Sequence, residues 1–78
     1  MSYNQNKEKS RKLCLLLGKR IRQLRNDKKL SVAEVAYKAD IDSQNLRKYE
    51  LGKQEMKISM LFRIANALEV TPQEILIF

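Results

Sequence analysis

Two helix-start signatures, Ser31-Val32-Ala33-Glu34 and Thr71-Pro72-Gln73-Glu74, constrain this chain more than any other feature. In each box the hydroxyl can accept from the amide three residues on, and the glutamate can reach back to the capping residue. Pro72 strengthens the second box, because the first helical position has no use for its missing N–H. Between the boxes, Asp42 reads as a further N-cap and Gly52 as a left-handed C-terminal cap. Such punctuation leaves room only for short helices. Apolar spacing fills the intervals: Leu13, Leu17, Ile21 and Leu24 with Cys14 and Leu16, then Val35, Ala36 and Ala39, then Leu46 and Tyr49, then Ile58, Leu61, Phe62, Ala65 and Leu68. The pattern predicts helices over about 11–28, 32–39, 43–50, 58–68 and 72–77. The expected fold is all-α, a compact five-helix bundle forming a single domain over residues 11–78. Residues 1–10 are polar and lack periodicity, so they are expected to form a flexible arm or a fraying helix start.

Composition removes several functions. With no His and one Cys among 78 residues, neither the usual zinc sites nor a His-based triad can be assembled, so no metal, cofactor or catalytic residue is expected. Two Gly and one Pro exclude a glycine-rich phosphate loop. No apolar run approaches the roughly 18 residues of a membrane span, and no signal peptide opens the chain. A single Cys cannot close an intramolecular disulfide, so the expected compartment is the reducing cytoplasm, with the nucleoid the expected place in a bacterium.

Sixteen Lys and Arg against nine Asp and Glu leave a net charge of +7, which favours a polyanionic partner. The excess is local. Residues 1–29 carry ten basic and two acidic side chains, residues 30–56 four and five, and residues 57–78 two of each. A membrane surface is a poor candidate, because the apolar face of helix 1 is needed for the core.

Helices 2 and 3 are short, joined by a tight turn at Asp40-Ile41-Asp42, and packed through Val35, Ala36, Ala39, Ile41, Leu46 and Tyr49. That arrangement is a helix-turn-helix, in which helix 3 is offered to a DNA major groove. Here a family resemblance enters. The stretches Leu-Gly-Lys-Arg-Ile-Arg-Gln-Leu-Arg at 17–25, Leu-Ser-Val-Ala-Glu-Val-Ala at 30–36, Tyr-Glu-Leu-Gly-Lys at 49–53 and Leu-Phe-Arg-Ile-Ala-Asn-Ala-Leu at 61–68 resemble the phage repressor/Cro-type, or XRE, helix-turn-helix family. The resemblance implies base contacts from Ser43, Gln44, Arg47 and Lys48, and sugar–phosphate contacts from Asn45 and Lys53. Gln suits adenine, and Arg and Lys suit the guanine acceptors. Basic groups of helix 1, Lys19 and Arg22, are expected to join them on phosphates. The resemblance also implies a partly buried ion pair between Arg25 and Glu50, holding helix 1 against helix 3.

Three positions depart from the family pattern. Asp40 stands where glycine is usual in the turn, Val32 where a polar phosphate anchor opens helix 2, and Met56-Lys57 where proline often precedes helix 4. Finally, Ile75, Leu76, Ile77 and Phe78 form an apolar run that one helix face cannot bury in a monomer. Family members often pair through this last helix, so a homodimer on a palindromic double-stranded DNA site is expected, with no effector specified. The alternative is a helix-turn-helix used as a protein-interaction module, an antitoxin or a regulator's partner, docking through the same apolar end.

Overall fold

The structure, a computed structural model, describes residues 3–78. These form five α-helices and no strand: α1 (Tyr3–Asp27), α2 (Val32–Ala39), α3 (Ser43–Glu50), α4 (Ile58–Leu68) and α5 (Pro72–Ile75). Each short helix starts at a side-chain cap where the sequence offers one. Ser31 Oγ accepts from the Glu34 amide at 3.0 Å and Glu34 Oε1 accepts from the Ser31 amide at 3.0 Å, closing the box. The amide and hydroxyl of Ser31, the amide foremost, hold the Glu34 carboxyl below its ordinary range. Asp42 Oδ1 accepts from the Asn45 amide at 2.8 Å, and Thr71 Oγ1 accepts from the Glu74 amide at 3.3 Å. Lys57, before α4, makes no such bond.

The helices end by one device. Lys29, Asp40, Gly52 and Glu69 all adopt positive φ, between 58° and 70°. This turns the chain back so that the amides of Leu30, Ile41, Lys53 and Val70 reach the carbonyls of Arg25, Ala36, Lys48 and Ala65. Three of the four are not glycine, and a left-handed residue with a Cβ costs roughly 1–2 kcal/mol. The closing hydrogen bonds and the packing beyond them hold it there.

α2 packs on α3 and α4, α1 on α3 and α5, and α4 on α5. The core they enclose includes Ile21, Val35, Leu46, Ile64, Leu68 and Ile75, each essentially without exposed surface. Each such side chain contributes roughly 1.5–3 kcal/mol by leaving water. Ala36 and Ala39, both buried, let α2 sit close to its neighbours.

Four expectations need correction. Residues 3–10, expected as a flexible arm or a fraying helix start, continue α1 as helix; residues 1 and 2 of that segment lie outside the described residues. Once α1 is nucleated by its packed turns, adding a residue fixes few dihedrals per hydrogen bond, and Lys, Glu and Gln are good helix formers. α5 stops at Ile75 rather than 77, with Leu76 as its cap. Leu13 and Leu16, placed on the buried face of helix 1, are about half exposed, because that part of the helix runs beyond the core. Ile58 and Phe62 also face outward, and α4 buries Leu61, Ile64, Ala65, Ala67 and Leu68 instead.

Candidate nucleic-acid interface

α3 is locked on one side and open on the other. Leu46, Tyr49 and Glu50 are buried, while Gln44, Arg47 and Lys48 are exposed. Spacings of three and four put these three on one helical face. Ser43 and Asn45 are half-buried at the first turn. Ser43 stands beside the Asp42 cap, and the Asn45 amide is used by that cap. Leu51, exposed just past the helix, extends the outward face with an apolar group that sequence reasoning passed over.

The locked side is fixed by charge and by close approach. Arg25 Nε donates to Glu50 Oε2 at 2.7 Å and Nη2 to Oε1 at 3.1 Å, a two-pronged pair between side chains 11% and 6% exposed. Nη1 of the same guanidinium donates to the Leu30 carbonyl at 2.9 Å. One side chain therefore ties α1 both to α3 and to the segment leading into α2. Gly18 lies under the end of α3, where an added Cβ would meet the Tyr49 and Glu50 carbonyls.

A further tie was invisible in sequence. Arg63 on α4 donates from Nε to the Ala39 carbonyl at 2.9 Å and from Nη2 to the Asp40 carbonyl. These acceptors belong to the end of α2 and to the turn itself, so Arg63 straps the helix-turn-helix to the helix behind it. Its carboxylate neighbour Asp40, at 4.0 Å and fully solvated, adds little. Backbone acceptors carry no sequence signature. The only hint was an arginine as the one charged residue of the helix. Arg63→Ala is expected to cost roughly 1.5–3 kcal/mol, the range for charge-assisted hydrogen bonds. It should also accelerate amide exchange at the turn, Asp40 and Ile41, more than in α1. Uniform exchange across the chain would remove the strap.

The other candidate residues divide between two clefts. Arg22 and Arg47, from α1 and α3, line one cleft with Val32 and Leu51, above the Arg25–Glu50 pair. Lys53 lines a second, with residues of the N-terminal half of α1. Lys19 is exposed on α1 and lines neither. Arg20, its neighbour, is engaged elsewhere, donating to the Glu74 carbonyl at 2.9 Å and so holding α5 to α1.

At the chain end, Ile75 is fully buried, which withdraws it from the expected interface: its side chain completes the core. Leu76, Ile77 and Phe78 are each at least half exposed. Leu76 and Phe78 line a groove with Leu13, Cys14, Leu17 and Met56. Cys14 is half-buried there; burial, and secondarily the Glu55 carboxylate, raise its thiol above the ordinary range and keep it protonated. Among the described residues, no group of three or more His, Cys, Asp or Glu could hold a metal ion, and no helix is long and apolar enough to cross a membrane.

Comparison with known proteins agrees with this geometry. A family model described as a helix-turn-helix domain matches residues 18–76. The fold is similar to that of the restriction-modification controller protein C.AhdI from Aeromonas hydrophila, with a TM-score of 0.78 and 27% identity over 80% of this chain and 94% of that one. It is similar also to two structures of the clp gene regulator ClgR from Corynebacterium glutamicum, each with a TM-score of 0.80 and 26% identity over 82% of this chain, and over 83% of one and 68% of the other. No curated protein matches the chain.

Proposed function

The chain belongs to the phage repressor/Cro-type helix-turn-helix family, and from that premise we propose that it is a sequence-specific, double-stranded-DNA-binding transcriptional regulator acting in the cytoplasm. The observation that carries the reading is the two-sided character of α3. A helix with an ion pair and a close backbone crossing behind it, and Gln44, Arg47 and Lys48 in front, presents a rigid polar face of the width a major groove admits. In this reading Gln44 and Lys48, with Ser43 at the helix start, contact bases. Asn45, Lys53, Lys19 and Arg22 hold phosphates. Arg47 shares its cleft with Arg22, so it stands between the two roles, reaching a base edge or the adjacent phosphate.

The regulator works as a homodimer, paired through Leu76, Ile77 and Phe78 with Leu13 and Leu16 beside them. These residues are apolar and exposed, and Leu13, Leu76 and Phe78 line one groove, an arrangement that favours a partner surface over water. A two-fold pair of this kind sets two recognition helices about 34 Å apart, one turn of DNA. The same groove would serve the rival reading, an interaction module binding a different protein.

Selection from a random duplex pool separates the two. The regulator reading expects a palindrome whose half-sites are about one helical turn apart. Titration of that duplex should give log affinity falling steeply with log salt, by about 0.9 for each phosphate neutralised. Lys48→Ala should relax base choice at one position, and Lys53→Ala should weaken all sequences alike. Recovery of no enriched sequence, together with a stoichiometric protein partner, would establish the interaction module instead.

A further inference from the structure

The two turns of α1 from Lys7 to Leu13 do nothing for the core. From Lys7 to Leu13 every residue is exposed except Ser10, which is half-buried, and the region precedes the family-matched residues 18–76. Yet this stretch is held in a definite place. Gly52, at φ 70°, lies so close to α1 that an added Cβ would stand 2.8 Å from the Leu15 Cα. The loop after α3 therefore crosses α1 at Leu15, and the helix projects past the crossing alongside that loop. Between the two runs an open cleft of about 510 Å³, lined by Lys7, Ser10, Arg11, Lys53, Gln54 and Glu55 among others.

Three cations line it and one carboxylate opposes them. Lys7 and Arg11 are four residues apart, so they share a helical face, an arrangement of like charges that disfavours the helix carrying them. Lys53 faces them across the gap and adds to the repulsion. All three side chains are exposed, so phosphate oxygens in the cleft can reach each of them.

We infer that this cleft is a second DNA-backbone site, in which Arg11 and Lys7 of the α1 extension, with Lys53 and Gln54 opposite, hold a phosphodiester beyond those reached by the helix-turn-helix. The inference rests on the reading of α3 as the DNA-reading helix and extends it. Lys53 connects the two, because its amide closes the end of α3 on the Lys48 carbonyl at 2.9 Å. A phosphate strand leaving Lys53 enters the cleft directly. Ser10, and Gln54 whose Nε2 also donates to Tyr49 Oη at 3.3 Å, add neutral donors suited to phosphate oxygens.

The test uses the full chain and a mixed-sequence duplex of about two helical turns. Affinity is measured across a salt series for the wild type, Arg11→Ala, Lys7→Ala and a control, Lys28→Ala, which removes the same charge at the far end of α1. Circular dichroism checks that each variant keeps its helix content. The cleft predicts that Arg11→Ala flattens the log–log salt slope by about 0.9 and weakens binding roughly five- to tenfold near 0.1 M salt. Lys7→Ala should act in the same direction, and Lys28→Ala should leave the slope unchanged. Ethylation of one backbone phosphate should impair the wild type and leave Arg11→Ala indifferent. Wild-type binding with an unaltered slope in Arg11→Ala and Lys7→Ala would overturn the cleft while leaving α3 its role. Equal flattening in Lys28→Ala would reduce the effect to net charge and overturn it too. Absence of duplex binding by the wild type would remove both readings together.

Discussion

Gly18→Ala is expected to destabilise the protein by at least about 3 kcal/mol, the upper end of overpacking effects. The direction is the informative part. In an exposed helix interior the same change gains roughly 1 kcal/mol, because Ala is the better helix former. Here the new methyl would meet the Glu50 carbonyl oxygen at 2.5 Å and its carbon at 2.8 Å, with the Tyr49 carbonyl oxygen closer still. All three are backbone atoms of the end of α3, and no rotamer change can move them aside. The helices must part, which pulls Arg25 from Glu50 and loosens Tyr49 from the core. Against a total stability of roughly 4–12 kcal/mol for a chain of this length, the loss is large. In thermal unfolding it should appear as a drop of more than about 12 °C. Lys19→Ala, one residue along and exposed, is the control for helix propensity. A neutral or stabilising Gly18→Ala would mean that α1 and α3 are not in backbone contact.

Glu50→Ala is expected to cost about 3–5 kcal/mol, the range for removing one partner of a buried ion pair. Its effect comes less from the lost attraction than from the group left behind. Arg25 is only 11% exposed, and without Glu50 its guanidinium keeps a single acceptor, the Leu30 carbonyl. Arg25→Met should cost a comparable amount, because it leaves the Glu50 carboxylate, 6% exposed, without its two guanidinium donors. The double variant, Arg25→Met with Glu50→Leu, should recover most of the stability lost in either single variant, because burying apolar groups replaces the desolvated pair. Urea unfolding of the wild type, Arg25→Met, Glu50→Leu and the double variant forms a double-mutant cycle. Additive losses would show that the two side chains are not coupled. The double variant should still lose DNA affinity, because the paired charges hold α3 at one angle on α1 where apolar packing allows several.

Much of the architecture was legible because its determinants are local. Ser31 with Glu34, Asp42, Gly52 and Thr71 with Pro72 each act on the backbone within three or four residues, and all appear in those capping roles. Asp40 in the left-handed region was legible for the same reason. What could not be read depends on distant backbone. The requirement for Gly18 comes from carbonyls more than thirty residues away, and Arg63 seeks carbonyls on another helix. The continuation of α1 over residues 3–10 was open between an arm and a fraying helix start, because a stretch without an apolar face leaves no periodic trace. The outward positions of Ile58 and Phe62 were missed for the opposite reason, since they fit the period but no helix lies over them. For the candidate interface, spacing could mark Gln44, Arg47 and Lys48 as one face. The sharing of a cleft by Arg22 and Arg47, and of another by Lys53 and Arg11, needed the three-dimensional arrangement.

The attachments of α3 to α1 are crowded at one end. Gly18 meets the carbonyls of Tyr49 and Glu50, Arg25 grips Glu50, and Gly52 rests on Leu15, whereas Ser43 and Gln44 have only the turn before them. α3 is held to α1 at its C-terminal end and to the core again at Leu46, which is fully buried, so only its first turn, roughly 5 Å, lies beyond these attachments. In the proposed roles Lys53, on phosphate, lies next to the fixed end and Ser43 and Gln44, on bases, lie farthest from it, so adjustment to an imperfect half-site would fall on the base contacts first.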